Sequence, residues 1–124
     1  MSEHFKKSEL ACRCGCGFDA ASDALITLAE AVRNVLGCPM IVHCCCRCAS
    51  HNKVVGGSAT SKHLTGDAMD FHTSAYTPQE AYDMIISAYE DGKLPLLGGI
   101  GLYSWGIHID TAKASDGHLR RWKG

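Results

Sequence analysis

The chain has 124 residues, a length that suits one domain, and 46% of them are hydrophobic, which is enough for a core and argues against wholesale disorder. A formal net charge of -1 offers no basic surface for nucleic acid or an anionic membrane. No apolar run approaches the roughly 18 residues of a membrane span, and the polar start, MSEHFKKSEL, lacks the apolar core of a secretory signal. We therefore expect one domain over residues 1–124 that stays in the cytoplasm until it is released, for example by cell lysis.

Residues 1–18 predict an arm and a turn rich in cysteine and glycine. The eight cysteines of the chain form two clusters, Cys12, Cys14 and Cys16, then Cys38, Cys44, Cys45, Cys46 and Cys48. Without a secretory signal the thiols should be reduced, which favours metal binding or burial over disulfides, although the spacings are not those of common zinc modules. A second, structural metal at the cysteines, one or two disulfides, and plain burial all stay open.

The segment SDALITLAEAVRNVLGCP predicts the first helix. Ser22 is a suitable N-cap, and Gly37 can end the helix ahead of Pro39. Apolar side chains recur at helical spacing, namely Leu25, Leu28, Ala29, Val32 and Leu36. This pattern indicates a helix with one buried face.

The segment MIVHCCCRC predicts a short strand. Strict alternation would place Val42 and Cys44 on one face of that strand, and His43 and Arg47 on the other. The segments that follow predict a short helix (SHNKVV) and a loop (GGSATS).

The segment DAMDFH predicts a second strand, with Asp70 on one side and Met69 and Phe71 on the other. The clearest helix follows in TPQEAYDMIISAYEDG, where Thr77 is the N-cap and Glu80 completes a capping box. GGIGLYS and GIHIDT predict two strands joined by a tight turn, and the tail DGHLRRWKG is short and basic. The expected fold class is α+β, with helices packed on a small, largely antiparallel sheet.

Three residues offer the ligands of a catalytic zinc site. His63 and Asp70 flank a glycine turn that leads into a strand, and His108 lies on a separate strand that could pair beside it. Zinc accepts imidazole nitrogen and carboxylate oxygen, and a catalytic site commonly has three such ligands plus water. On spacing alone, ordinary polar residues in a loop and on an exposed strand are the more frequent explanation of such a pattern.

These segments together resemble a known family. SKHLTGDAMD resembles the S-x-H-x-x-G-x-A-x-D signature of the D-Ala-D-Ala carboxypeptidase family of zinc peptidases. WGIHID resembles the H-x-D segment of the branch that includes murein endopeptidases and phage lysis enzymes. RCASHNKVVGG, FKKSELACRCGCGF and the closing RRW resemble further elements of that branch, in the same order. The resemblance implies a hedgehog/D-Ala-D-Ala peptidase-like fold and zinc bound by His63, Asp70 and His108.

The resemblance also implies roles for neighbouring residues. Arg47 would hold a peptide carboxylate or carbonyl through its fork of donors, and Ser61 would bond within its loop or reach the substrate. Relatives take the general base two or three residues before the last ligand, where this chain has Gly106 and Trp105. Asp110 is the nearest candidate base, and its alternative role is to accept a hydrogen bond from a ligand imidazole. His72, on the same strand face as Asp70, ranks below it as a second candidate acid or base.

The function implied is a zinc metallopeptidase that cuts peptidoglycan peptides at D-residues, as a carboxypeptidase or a murein endopeptidase. The alternative is a zinc-bound module that binds muropeptides without turnover. The expected partners are cell-wall peptides, with no nucleic acid or membrane, and the expected state is a monomer. Small size and the lack of a wall-binding domain favour a phage or prophage origin.

Overall fold

A computed structural model describes residues 22–44, 68–112 and 117–123. The predicted helix at SHNKVV and loop at GGSATS lie outside these residues, as do most of the cysteines. Within the described residues Cys38 is half-buried and has a free thiol. In those same ranges, neither helix combines the length and apolarity needed to cross a membrane.

The first helix, α1, spans Asp23–Leu36, and both of its predicted ends are confirmed. The Ser22 hydroxyl accepts a hydrogen bond from the backbone N–H of Leu25 at 3.1 Å. Gly37 adopts a left-handed φ of 66°, and its N–H donates to the carbonyl of Arg33. The predicted apolar stripe is buried, because Leu25, Leu28, Ala29, Val32 and Leu36 all lie in the core.

The second helix, α2, spans Pro78–Glu90 and begins with the predicted capping box. The Thr77 hydroxyl accepts from the N–H of Glu80 at 3.2 Å, and the Glu80 carboxylate accepts from the N–H of Thr77 at 2.9 Å. Ala81, Ile85 and Ala88 form its buried face. Both helices are therefore predicted correctly from local capping residues and apolar spacing in the sequence.

Five strands form one mixed sheet in the order β1-β2-β4-β3-β5. Their ranges are β1 Ile41–Cys44, β2 Ala68–His72, β3 Gly99–Tyr103, β4 Gly106–Asp110 and β5 Arg120–Lys123. The pairs β1–β2, β2–β4 and β3–β4 are antiparallel, and β3–β5 is parallel. The α+β class and the largely antiparallel sheet are thus confirmed.

Two details of the sheet differ from the sequence prediction. The short basic tail carries no strand prediction, yet Arg120–Lys123 is an edge strand paired with β3. The prediction of strict alternation in the first strand is also wrong. Val42 lies opposite Phe71, but the next paired residue is Cys44, which lies opposite Asp70. This shift is a β-bulge, and His43 is its extra residue.

The sheet has two chemically distinct faces. Alternate residues of β2, β3 and β4 point into one apolar cluster with both helices, which we call the core face. Its residues are Met69, Phe71, Ile100, Ile107 and Ile109. The intervening residues form the site face, which carries Asp70, His108 and Asp110.

Candidate active site

One row of paired residues crosses four strands on the site face. Asp70 on β2 lies opposite His108 on β4, which lies opposite Gly101 on β3, which lies opposite Trp122 on β5. Because directly paired residues share a face, the register alone brings Asp70 and His108 side by side. The two strands thus pair side by side, as their sequences allow.

His108 lies between two carboxylates. Its Nδ1 is 2.8 Å from Oδ1 of Asp70, and its Nε2 is 2.9 Å from Oδ2 of Asp110. Burial alone would lower the pKa of His108, but its hydrogen bonds to Asp110 and Asp70 and their negative charges outweigh burial and raise that pKa. The ring is therefore held on both edges, and its orientation is fixed.

Asp110 is the most buried member of this group, with only 1% of its side chain exposed. Its Oδ1 accepts hydrogen bonds from Nη2 of Arg120 at 2.5 Å and from the backbone N–H of Ala112 at 3.0 Å. Burial would raise the pKa of Asp110, but His108 and Arg120 outweigh it and lower that pKa. Both carboxylate oxygens of Asp110 thus accept hydrogen bonds, and the carboxylate stays ionised.

Arg120 and Trp122 on β5 are site residues that the sequence analysis assigned to a basic tail. Arg120 also donates from Nε to the carbonyl of Ala112 at 2.7 Å, which fixes its guanidinium against Asp110. Trp122 lies with its ring 5.2 Å from that of His108 and donates from Nε1 to the Tyr103 hydroxyl at 2.7 Å. The spacing of Arg120 and Trp122, two apart as on one face of a strand, is the signal that could have found them.

The Trp122 ring fits because Gly101 lies beneath it. A Cβ at Gly101 would come within 2.4 Å of Nε1 of Trp122. The absence of a side chain at this point of β3 therefore makes room for the indole beside His108.

Gly106 and Trp105, the two positions at which the resemblance implies a general base, cannot supply one. At Gly106, a Cβ would come within 2.2 Å of the carbonyl oxygen of Phe71, so the approach of β2 and β4 leaves no space for a side chain. Trp105 has no group that accepts a proton, and its 42% exposed side chain stacks on Tyr103 at 4.9 Å.

The structure brings together three of the predicted site residues, Asp70, His108 and Asp110. The other three, His63, Arg47 and Ser61, lie outside the described residues. In the described ranges, His, Cys, Asp and Glu side chains form no group of three suited to hold a metal ion. The ligand set that the sequence predicts therefore has two members, Asp70 and His108, in this part of the chain.

The donor atoms of that pair are the kind that zinc accepts. An imidazole nitrogen and a carboxylate oxygen face each other on a partly buried surface, with 14% of the His108 side chain and 19% of the Asp70 side chain exposed. The opposite ring nitrogen of His108 contacts Asp110, as ligand histidines commonly do with a supporting carboxylate. By the chemistry of their donor atoms, Asp70 and His108 would suit a zinc ion as two of its ligands.

Comparison with known proteins gives one family. The family model described as Peptidase M15 matches residues 3–110, which include all six predicted site residues. No curated protein matches the chain.

Proposed function

The chain belongs to the Peptidase M15 family, of D-Ala-D-Ala carboxypeptidase-like zinc peptidases, and we propose that it hydrolyses peptide bonds at D-residues in bacterial peptidoglycan. The observation that carries the proposal is the contact between Asp70 and His108 on the site face, where Oδ1 of Asp70 is 2.8 Å from Nδ1 of His108. We assign the chain to the branch with the H-x-D segment, because His108 and Asp110 supply that segment.

Asp70 and His108 would hold the zinc together with His63. The chemistry supplied by a zinc ion there would be polarisation of the scissile carbonyl and a lower pKa for water near the site. In this proposal the carboxylate of Asp110 accepts the Nε2–H of His108, which selects the tautomer with Nδ1 available as a ligand. Asp110 is then a positioning residue.

A general base role for Asp110 fits its contacts less well. A base needs a pKa near the working pH and a free lone pair aimed at the proton it takes. Asp110 has a lowered pKa, and only 1% of its side chain is exposed. Its carboxylate already accepts hydrogen bonds from Arg120, Ala112 and His108. We therefore propose that Asp110 orients His108 and that Arg120 holds Asp110 in place.

Arg47 and Ser61 complete the proposed site on the substrate side. Both belong to segments that resemble the family's motifs, RCASHNKVVGG and SKHLTGDAMD. The Arg47 guanidinium would bind a carboxylate of the peptide through two parallel hydrogen bonds, which a lysine could not reproduce. Peptidoglycan stem peptides supply such carboxylates at their ends and side chains.

The bond that is cut is tested with two substrates. Zinc-loaded protein is incubated with a synthetic peptide that ends in D-Ala-D-Ala and with purified cross-linked muropeptide dimers, and the products are weighed by mass spectrometry. A carboxypeptidase releases one alanine from the peptide, whereas an endopeptidase splits the dimers into monomers. Absence of both products, under conditions where His108 is shown to bind zinc, would overturn the proposed function.

A further inference from the structure

Two histidines outside the proposed catalytic pair converge on the site face. Nε2 of His43 on β1 and Nδ1 of His72 on β2 lie within hydrogen-bonding distance of each other. Their ring centroids are 4.7 Å apart and the rings are tilted by 46°. Two imidazole nitrogens therefore point at nearly one place on the protein surface.

The β-bulge in β1 produces this convergence. Ile41 is opposite His72 and Cys44 is opposite Asp70, so His43 is the extra residue between the two registered pairs on this face. Bulges characteristically re-aim a side chain that regular alternation would send elsewhere. In an unbulged strand, the position opposite His72 would remain Ile41 and His43 would be opposite Asp70.

Aromatic neighbours restrict the ring of His43. Trp105 lies 5.4 Å away, ring centroid to ring centroid, and itself stacks on Tyr103 with an angle of 12° between the planes. A ring that is already confined loses less conformational entropy when it binds a ligand. The pair is thus partly preorganised, although both histidines are accessible at the surface.

We propose that His43 and His72 form a second metal site, which takes a divalent zinc ion through Nε2 of His43 and Nδ1 of His72, with water as the remaining ligands. Neutral imidazole is a good ligand for zinc. Bond lengths of about 2.0–2.1 Å to a tetrahedral ion set two nitrogens roughly 3.3 Å apart, so the rings must separate from their present 2.5 Å nitrogen–nitrogen distance to admit the ion.

This site would lie beside the proposed catalytic pair. His72 is two residues along β2 from Asp70, which is roughly 7 Å on a strand. If the chain is the proposed peptidase, zinc bound by His43 and His72 obstructs the peptide substrate and inhibits the enzyme. Zinc is then required at the first site and inhibitory at the second.

Binding is tested by nuclear magnetic resonance on the full chain labelled with ¹⁵N-histidine. Zinc chloride is added beyond the amount that saturates the tightest sites, and the ring nitrogens are followed. We expect the signals of His43 and His72 to shift together, and those of His118, an exposed histidine elsewhere, to stay unchanged. In His72→Gln the His43 shift should disappear, and in His43→Gln the His72 shift should disappear.

The site would be overturned if zinc still shifted the His43 signal in the His72→Gln variant. It would also be overturned if neither histidine signal responded to zinc in the unchanged chain. These outcomes do not depend on catalysis, so the site can fail while the peptidase function stands, and the reverse.

Inhibition is tested separately, by measuring hydrolysis at rising zinc concentration. Both glutamine variants should need about tenfold more zinc for half-inhibition, a loss of about 1.4 kcal/mol in zinc binding. The matched control His118→Gln should be inhibited like the unchanged chain. Equal inhibition of all four proteins would show that the second site does not regulate the enzyme.

Discussion

The two faces of the sheet differ in how they use the same strands. On the core face, Phe71 and Ile109 pack among many apolar neighbours, and their contacts have no required direction. On the site face, His108 and Asp110 each have specific partners at hydrogen-bonding distances. Because the two sets alternate along the chain, neighbouring residues should fail in different ways, one set through stability and the other through chemistry.

The sharpest contrast is between His108 and its neighbour Ile109. His108→Ala removes a proposed zinc ligand, so hydrolysis of muropeptides should fall below detection while the chain stays folded. Ile109→Ala leaves a cavity in the core and should cost about 2–5 kcal/mol of unfolding free energy, with turnover per folded molecule retained. Chemical denaturation and product analysis on both variants measure the two losses. Comparable activity in His108→Ala and the unchanged chain would break the distinction.

Asp110→Asn keeps the shape of the side chain but removes the charge that holds His108. If Asp110 positions the ligand, zinc affinity and activity should fall about 10- to 100-fold. A competition titration with a zinc chelator measures the affinity. If activity disappears while zinc affinity is unchanged, Asp110 acts on the proton instead of on His108.

The two arginines of β5 extend the comparison to the edge strand. Arg120 contacts Asp110, whereas Arg121 is exposed. Arg120→Met removes a charged hydrogen bond to Asp110, so it should lower the free energy of unfolding. Because Arg120 is partly exposed to solvent, the loss should not exceed about 1.5–3 kcal/mol. Arg121→Met should stay within about 0.5 kcal/mol. The denaturation midpoints of the two variants measure these losses. Equal losses would contradict the proposal that Arg120 holds Asp110 in place.

Gly101→Ala tests the space beneath Trp122. The new methyl group would meet the indole at 2.4 Å, so Trp122 must move and its bond to Tyr103 should weaken, at a cost of about 1–3 kcal/mol. Adding Trp122→Leu removes the clash, so the two changes should not be additive. Additive losses would mean that the indole does not lie over Gly101.

The smallest effect concerns pH in the zinc-free protein. The pKa of His108 is raised, so its pairing with Asp110 and Asp70 stabilises the fold below the ordinary His value of 6.5 and is lost as the pH rises through the raised value. Thermal unfolding with a chelator should show this loss, and His108→Asn should abolish it. A stability that rises over the same pH range would contradict the pairing.

The sequence predicts the helices better than the site. Ser22, Gly37 and the Thr77–Glu80 box are local signals, and the structure uses each of them. The strand β5 was missed because its arginines and lysine are typical of a solvated tail, and because its pairing with β3 joins residues far apart in the chain. Alternation predicts the strand face on which Asp70 and His108 lie, but it does not predict that they are opposite each other. That register, like the bulge at His43, depends on how the strands meet.

The central claim is that the site face carries zinc-dependent peptidase chemistry at Asp70 and His108. The most direct measurement is the rate of muropeptide hydrolysis after a chelator removes metal and after zinc is restored, for the unchanged chain and for Asp70→Ala. We predict that the unchanged chain loses activity and regains it with zinc, and that Asp70→Ala is inactive throughout. Hydrolysis that survives chelation, or full activity in Asp70→Ala, would contradict the account.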